Sequence, residues 1–156
     1  MPTVTKTATL NVKAKPEKIW KVLSDDFLNV SKWAGGVSES GPNPKAEKSM
    51  TSAPHAGRIC QVDGMGETDE RVVEYSSEDM VIAYTIAAKK IPFFVKEMKS
   101  RWQVKPSGKD SSEVTLEVSA ETKGLFGYIG QFPIAKMLKG AAPGLAGDLK
   151  KYIEKQ

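Results

Sequence analysis

The sequence predicts an α+β domain: a curved antiparallel sheet of about six or seven strands wrapped around a long C-terminal helix, with one or two short helices after the first strand. Three observations carry this. Apolar and polar residues alternate through Val95–Val104, where Met98, Ser100, Trp102 and Val104 oppose Glu97, Lys99, Arg101 and Gln103, and again through Glu113–Glu121. A period of two is that of a strand with one buried face. The period then changes, with Ile134, Leu138, Ala142, Leu145, Leu149 and Ile153 recurring at steps of three and four and the lysines mostly elsewhere, which describes an amphipathic helix. Finally, 156 residues suit one domain with a sizeable core, so residues 1–156 are read as a single unit.

The elements follow in order. Ala8, Leu10 and Val12 alternate with polar neighbours from Thr7 to Ala14, giving the first strand. Pro16 and Glu17 occupy the positions where a helix starts, and Ile19, Trp20, Val22 and Leu23 form its apolar stripe. Phe27–Trp33 reads as a further helical turn, stopped at Gly35-Gly36. Val37–Ser40 is a short strand, followed by a long polar loop from Gly41 to about His55. Gly57–Val62 and Glu67–Tyr75 flank Asp63-Gly64, a hairpin signal. Met80–Ala88 places Met80, Ile82, Tyr84 and Ile86 on one side. The last helix, about twenty or more residues and roughly 30 Å long, is expected to kink or break at Pro143-Gly144. A sheet gripping one helix satisfies every apolar stripe at once, the helix-grip arrangement.

Composition excludes several functions. Cys60 is the only cysteine and His55 the only histidine, so an internal disulfide, a Cys/His zinc site and most nucleophile–histidine triads are ruled out, and no metal is expected. Lys and Arg number 23 against 19 Asp and Glu, a net +4, too weak an excess to imply nucleic acid. No apolar stretch reaches bilayer length, and the N-terminal charge leads into a strand pattern with no apolar h-region, so a cytoplasmic protein without an integral membrane segment is expected. Gly64-Met65-Gly66 is a hairpin pair with no phosphate-loop helix after it; no cofactor is expected. A monomer or weak dimer is the expected state.

Nearly the whole chain resembles one superfamily. The opening strand followed by Ala14-Lys15-Pro16-Glu17-Lys18-Ile19-Trp20-Lys21-Val22-Leu23-Ser24-Asp25 and then Trp33 is similar to the start of START-like proteins, also called SRPBCC or Bet v 1-like. Glu70-Arg71-Val72, Ala83-Tyr84-Thr85-Ile86, Ile91-Pro92-Phe93-Phe94-Val95-Lys96 and Arg101-Trp102-Gln103-Val104 resemble strands of its polyketide cyclase/dehydrase-like branch. The resemblance implies a deep cavity between sheet and helix that holds an apolar or amphipathic small molecule, a lipid, sterol or polyketide, with cyclisation or dehydration catalysed there in some members. Two departures bear on the cavity mouth: the loop between Gly41 and Gly57, and the small-residue run 140–147 in the last helix.

Candidate ligand-binding residues are Trp33, Glu70, Tyr84, Phe93, Phe94, Met98, Trp102, Phe132 and Leu138. Trp33, Tyr84, Phe93, Phe94, Trp102, Phe126 and Phe132 lie in elements expected to surround one space, either as pocket wall or as solid core. A dry cavity of a few hundred Å³ would cost several kcal/mol at ~24 cal/mol per Å³, so it must be occupied, hydrated or collapsed. Phe93 and Phe94 sit beside Pro92 and cannot both point inward as strand neighbours, so one is read as a gate or rim residue, the alternative being a loop anchored to the end of the last helix. Glu70 and Arg71 face opposite ways; if Val73 and Tyr75 share a face with Arg71, as unbroken alternation requires, Glu70 shares its face with Val72 and Glu74. Glu70 is then either a cavity carboxylate or half of a surface salt bridge. Candidate proton-transfer groups are Glu70, Tyr84 and His55, the last either a general acid on a folded-over loop or a solvated loop residue. Cys60 is expected to be a small buried apolar residue. The expected function is binding of a hydrophobic or amphipathic small molecule; the alternative is a cyclase, aromatase or dehydratase using those groups. A third reading is a partner-regulating domain, whose sign would be an exposed apolar patch near Phe93 and Phe94.

Overall fold

A computed structural model describes residues 3–46 and 51–156; the middle of the expected polar loop, residues 47–50, and the first two residues lie outside the described residues. The strands are β1 (Thr3–Val12), β2 (Val37–Pro42), β3 (Gly57–Val62), β4 (Gly66–Ser76), β5 (Val81–Ala88), β6 (Val95–Gly108) and β7 (Ser111–Thr122). The helices are α1 (Pro16–Leu23), a short 3-10 helix (Phe27–Lys32) and α2 (Gly124–Glu154). All seven strands form one antiparallel sheet in the order β1-β7-β6-β5-β4-β3-β2. The chain therefore crosses from one sheet edge to the other through α1 and the 3-10 helix, then returns as a meander. This is the helix-grip architecture expected from the apolar periodicity.

The β3–β4 hairpin turns where Asp63-Gly64 predicts it, with Gly64 at φ +81° and Gly66 at φ +74°, a region where a side chain is strained. The core joins β1, α1, the inner faces of β4–β7 and the buried stripe of α2, among them Trp102, Leu116, Leu149 and Ile153, each at most 1 % exposed.

Three expectations are corrected. The last helix starts ten residues before Ile134, at Gly124, runs for 31 residues, about 46 Å, and is not broken at Pro143-Gly144. Pro133 and Pro143 both lie on its exposed side, while Ile134, Leu138, Ala142, Ala146, Leu149 and Ile153 are buried. Tertiary burial outweighs the local break. Second, the register of β4 against β5 shifts between Val72 and Glu74. This bulge adds one residue and reverses the alternation beyond it. Glu70 and Val72 face the core, but Glu74 turns outward to pair with Arg101 (2.9 Å), and Tyr75 turns inward, bonded to Ser24 (2.8 Å) and stacked at 5.5 Å on Trp20. Third, Phe93, Phe126 and Phe132 do not join Tyr84 and Trp102 around one space: they are 63–73 % exposed.

The Glu74–Arg101 pair gives a pH signature. Hydrogen bonding to Arg101 holds the Glu74 carboxyl below its ordinary 4.5, against the effect of partial burial. A carboxyl depressed on folding stabilises above its unfolded value, and that contribution disappears as pH falls through the folded one. Glu74→Gln is expected to cost about 0.2–1 kcal/mol at pH 7, the range of an exposed pair. Urea titrations at falling pH should show the difference from the parent shrinking below about 4.5; a difference that persists in acid would assign the cost to something other than this charge.

Candidate functional site

Between the inner faces of β3–β7 and the second half of α2 lies a cavity of about 370 Å³. Its mouth is set by small residues: Gly36 after the 3-10 helix, and Ala141 and Gly144 on α2. The run 140–147 thus leaves room at the helix surface where larger side chains would fill it. Asp148, one turn further, accepts a hydrogen bond from the Gly35 backbone N–H (2.9 Å) and fastens helix to loop beside the opening.

Inside, the walls are mostly apolar, including Val30, Ile86, Met98, Val118 and Leu138. A buried charged pair interrupts them. Arg58 and Glu70 are register partners on β3 and β4, both at most 5 % exposed, and Arg58 Nε donates to Glu70 Oε1 at 2.9 Å. Thr68 donates its hydroxyl to Glu70 Oε2 (2.7 Å), so both carboxylate oxygens have partners. Arg58 Nη1 donates to the Phe27 carbonyl (2.9 Å), and its guanidinium carbon lies 4.1 Å from the Phe27 ring centre and 4.6 Å from that of Tyr84. The planar cation lies against two aromatic rings that meet each other edge-on at 5.4 Å, contacts that suit arginine better than lysine. Burial opposes its charge, but Glu70 and the surrounding groups outweigh that, and the guanidinium is held charged beyond its ordinary range.

Burial also raises the Tyr84 phenol, with Arg58 opposing, so the phenol stays protonated. Its oxygen accepts from Trp102 Nε1 (3.2 Å), and its own proton is available as a donor at the cavity wall. The Cys60 thiol is pushed up to about 12, by burial first and by the nearby Glu70 charge second. It is a neutral wall group. Iodoacetamide at pH 8 is expected to leave Cys60 unmodified in the native protein and alkylate it in urea; labelling of the native fold, read by mass spectrometry, would contradict this burial.

Of the residues proposed from sequence, Glu70, Tyr84, Met98 and Leu138 line this cavity. Trp102 sits behind Tyr84 and, at 6.0 Å, edge-on to Trp33; neither indole is among the lining residues. Phe94 covers Gly130, where any Cβ would strike its ring. Phe93 and Phe132 are each 73 % exposed. His55 Nε2 donates to the Asp25 carbonyl after α1 (3.1 Å), away from the cavity lining. Glu70 is in a buried ion pair, not a surface salt bridge.

Sequence reading missed Arg58, Thr68 and Asp148. For Arg58 a signal existed: counting back from a hairpin centred on Gly64 pairs position 58 with position 70, and both share the inward phase of Cys60. Gly57 holds this arrangement close, since a Cβ there would run into the Glu70 carbonyl and touch Ala46. Asn43, 8 % exposed, donates from its side-chain amide to Asp69 (2.7 Å) and to the Glu70 carbonyl (3.2 Å), so the start of the polar loop is tied to β4. Gly57→Ala should cost about 1–3 kcal/mol, the range for overpacking; an unchanged urea midpoint would show that β3 and β4 separate easily.

No curated protein matches the chain. Among solved structures, a START superfamily protein from Mycobacterium smegmatis aligns at TM-score 0.73 and 17 % identity over 97 % of both chains. The Zhui aromatase/cyclase from Streptomyces sp. R1128 aligns at 0.72 and 16 %, over 99 % of this chain and 95 % of that one. Norcoclaurine synthase from Thalictrum flavum, solved with dopamine and hydroxybenzaldehyde, aligns at 0.70 and 20 %, over 99 % and 88 %. At these identities the likeness is one of fold. The family model described as polyketide cyclase / dehydrase and lipid transport matches residues 1–154, and the chain belongs to that family.

Proposed function

We propose that the protein binds a hydrophobic or amphipathic small molecule, of lipid, sterol or polyketide kind, in the cavity between the sheet and α2. The observation that carries this reading is a mostly apolar space of about 370 Å³ whose buried charged pair, Arg58 and Glu70, is satisfied within the protein. Its volume falls in the range of small-molecule sites, ~300–1,000 Å³. Dry and empty, it would cost on the order of 9 kcal/mol at ~24 cal/mol per Å³, comparable with the whole stability of a domain, about 5–15 kcal/mol. Open to solvent at its mouth, it fills instead with water held against apolar walls. A ligand gains affinity by displacing that water, at roughly 25 cal/mol per Å² of apolar surface buried.

The polar groups favour binding over proton transfer. Glu70 has both oxygens occupied, and His55 is committed to a backbone carbonyl at a distance from the cavity lining. Tyr84 is suited to a different task, donating one hydrogen bond to a ligand oxygen. Family membership and the likeness to an aromatase/cyclase and to norcoclaurine synthase are consistent with a ligand-holding cavity.

The test is native mass spectrometry of the purified protein, followed by solvent extraction. A stoichiometric apolar compound, released on denaturation, is the expected result. For a ligand with a carbonyl or hydroxyl, Tyr84→Phe should weaken binding by the worth of one hydrogen bond, about 0.5–1.5 kcal/mol. Equal affinity would remove Tyr84 from the ligand's contacts.

A further inference from the structure

The first half of α2 presents apolar side chains to solvent. Leu125, Phe126, Tyr128, Ile129, Phe132 and Met137 are each 53–74 % exposed. At about 100° per residue they surround the solvent side of the helix and leave only Gly127, Gly130, Ile134 and Leu138 for its buried stripe. Phe93, from the segment between β5 and β6, extends the patch, its ring 5.7 Å from that of Phe126. A helix that is apolar all round is normally covered by something, and an exposed patch of this kind marks a contact surface.

We propose that this face docks onto an anionic lipid bilayer. The charge around it supports that occupant. Lys123, Lys136 and Lys139 lie on or beside this half of α2, and Lys89, Lys90 and Lys96 flank Phe93, while residues 80–96 and 122–147 contain no Asp or Glu. Of the nearest acids, Glu121 is paired with Lys96 (3.5 Å), and Glu97 is the residue after Lys96. A second copy of the chain on this face would bring lysines against lysines. Phenylalanine, tyrosine and leucine with a lysine rim are what a surface lying in the headgroup region requires.

The patch also adjoins the cavity. A groove of about 290 Å³ lies beside it, lined by Lys90, Phe94, Pro133 and Met137, and Met65 and Met98 line both this groove and the main cavity. These two flexible side chains are the partition between a bound bilayer and the ligand site. Passage of a lipid between them rests on the proposed function; the docking itself does not.

Co-sedimentation with phosphatidylcholine vesicles, with and without phosphatidylserine, tests the docking. Binding is expected only to the phosphatidylserine vesicles and is expected to weaken with added salt. Lys136→Ala with Lys139→Ala should weaken it by roughly fivefold per lysine, and Leu125→Asp with Ile129→Asp should abolish it. Uptake of an apolar fluorescent probe in solution should be unaffected in both variants, which also reports that they fold; loss of uptake by the parent chain would count against the cavity reading alone. No binding to either vesicle, equal binding to both, or variants that bind like the parent would overturn the docking. So would a dimer in sedimentation that Leu125→Asp with Ile129→Asp disperses while vesicle binding is absent.

Discussion

Glu70→Ala should lower the unfolding free energy by about 3–5 kcal/mol, because it leaves the Arg58 guanidinium buried without its counter-charge. The size follows from burial, Arg58 and Glu70 being 5 % and 4 % exposed, and from the bonds that converge on Glu70 from Arg58 and Thr68. A surface pair would contribute about 0–1 kcal/mol. The cost of the single change is not the worth of the pair, since desolvating both charges consumes most of their attraction. Replacing both together, Arg58→Met with Glu70→Leu, should therefore recover most of the loss. Urea denaturation of the two singles and the double closes the cycle. A single-variant cost below about 1 kcal/mol would mean that the Arg58 charge finds other compensation once Glu70 is gone, and that the pair behaves as a surface one.

Trp102→Ala is the second large effect, about 3–5 kcal/mol for deletion of a buried aromatic side chain. Trp102 is 1 % exposed, stands edge-on to Trp33 at 6.0 Å and holds Tyr84 through its indole N–H. Trp102→Phe keeps much of the volume and removes that donor. It should cost less stability, yet it frees the Tyr84 ring against which Arg58 lies. Ligand affinity is then expected to fall more in Trp102→Phe than its stability loss suggests. Equal stability losses in the two variants would mean that the hydrogen bond to Tyr84, and not the filled volume, carries the effect.

Sequence periodicity was sufficient for the architecture because each strand and the last helix buries one face, and burial is what periodicity reports. It was insufficient where one inserted residue changes the phase. The bulge near Val73 leaves no mark in the alternation of Glu70–Tyr75, which puts Glu74 on the face of Glu70 although it turns the other way. Pro143-Gly144 reads locally as a helix break, and only the docking of Ala142, Ala146 and Leu149 on the core overrides it. For the cavity, Glu70, Tyr84, Met98 and Leu138 were legible as inward positions on their elements. Phe126 and Phe132 were not legible as a surface, because an aromatic residue on a helix has the same one-letter signature whether it meets core or solvent; of the Phe93-Phe94 pair, Phe93 is the one that takes the exposed side. Arg58 was obscured by its own charge, which broke the apolar alternation of β3 at the point where the hairpin count would have paired it with Glu70.

Titration of an apolar fluorescent probe into the parent protein and into Ser100→Phe decides whether the space between sheet and α2 is a ligand site. Ser100 is 3 % exposed, lies opposite Tyr84 and Val118 in the sheet and lines the cavity, so a phenyl ring at that position projects into the space a ligand would occupy. Saturable one-to-one uptake is expected for the parent, and for Ser100→Phe a loss of uptake with the urea midpoint retained or raised by the filled volume. Saturable uptake of equal affinity in both proteins, or none in the parent after removal of any co-purifying compound, would contradict a ligand site there.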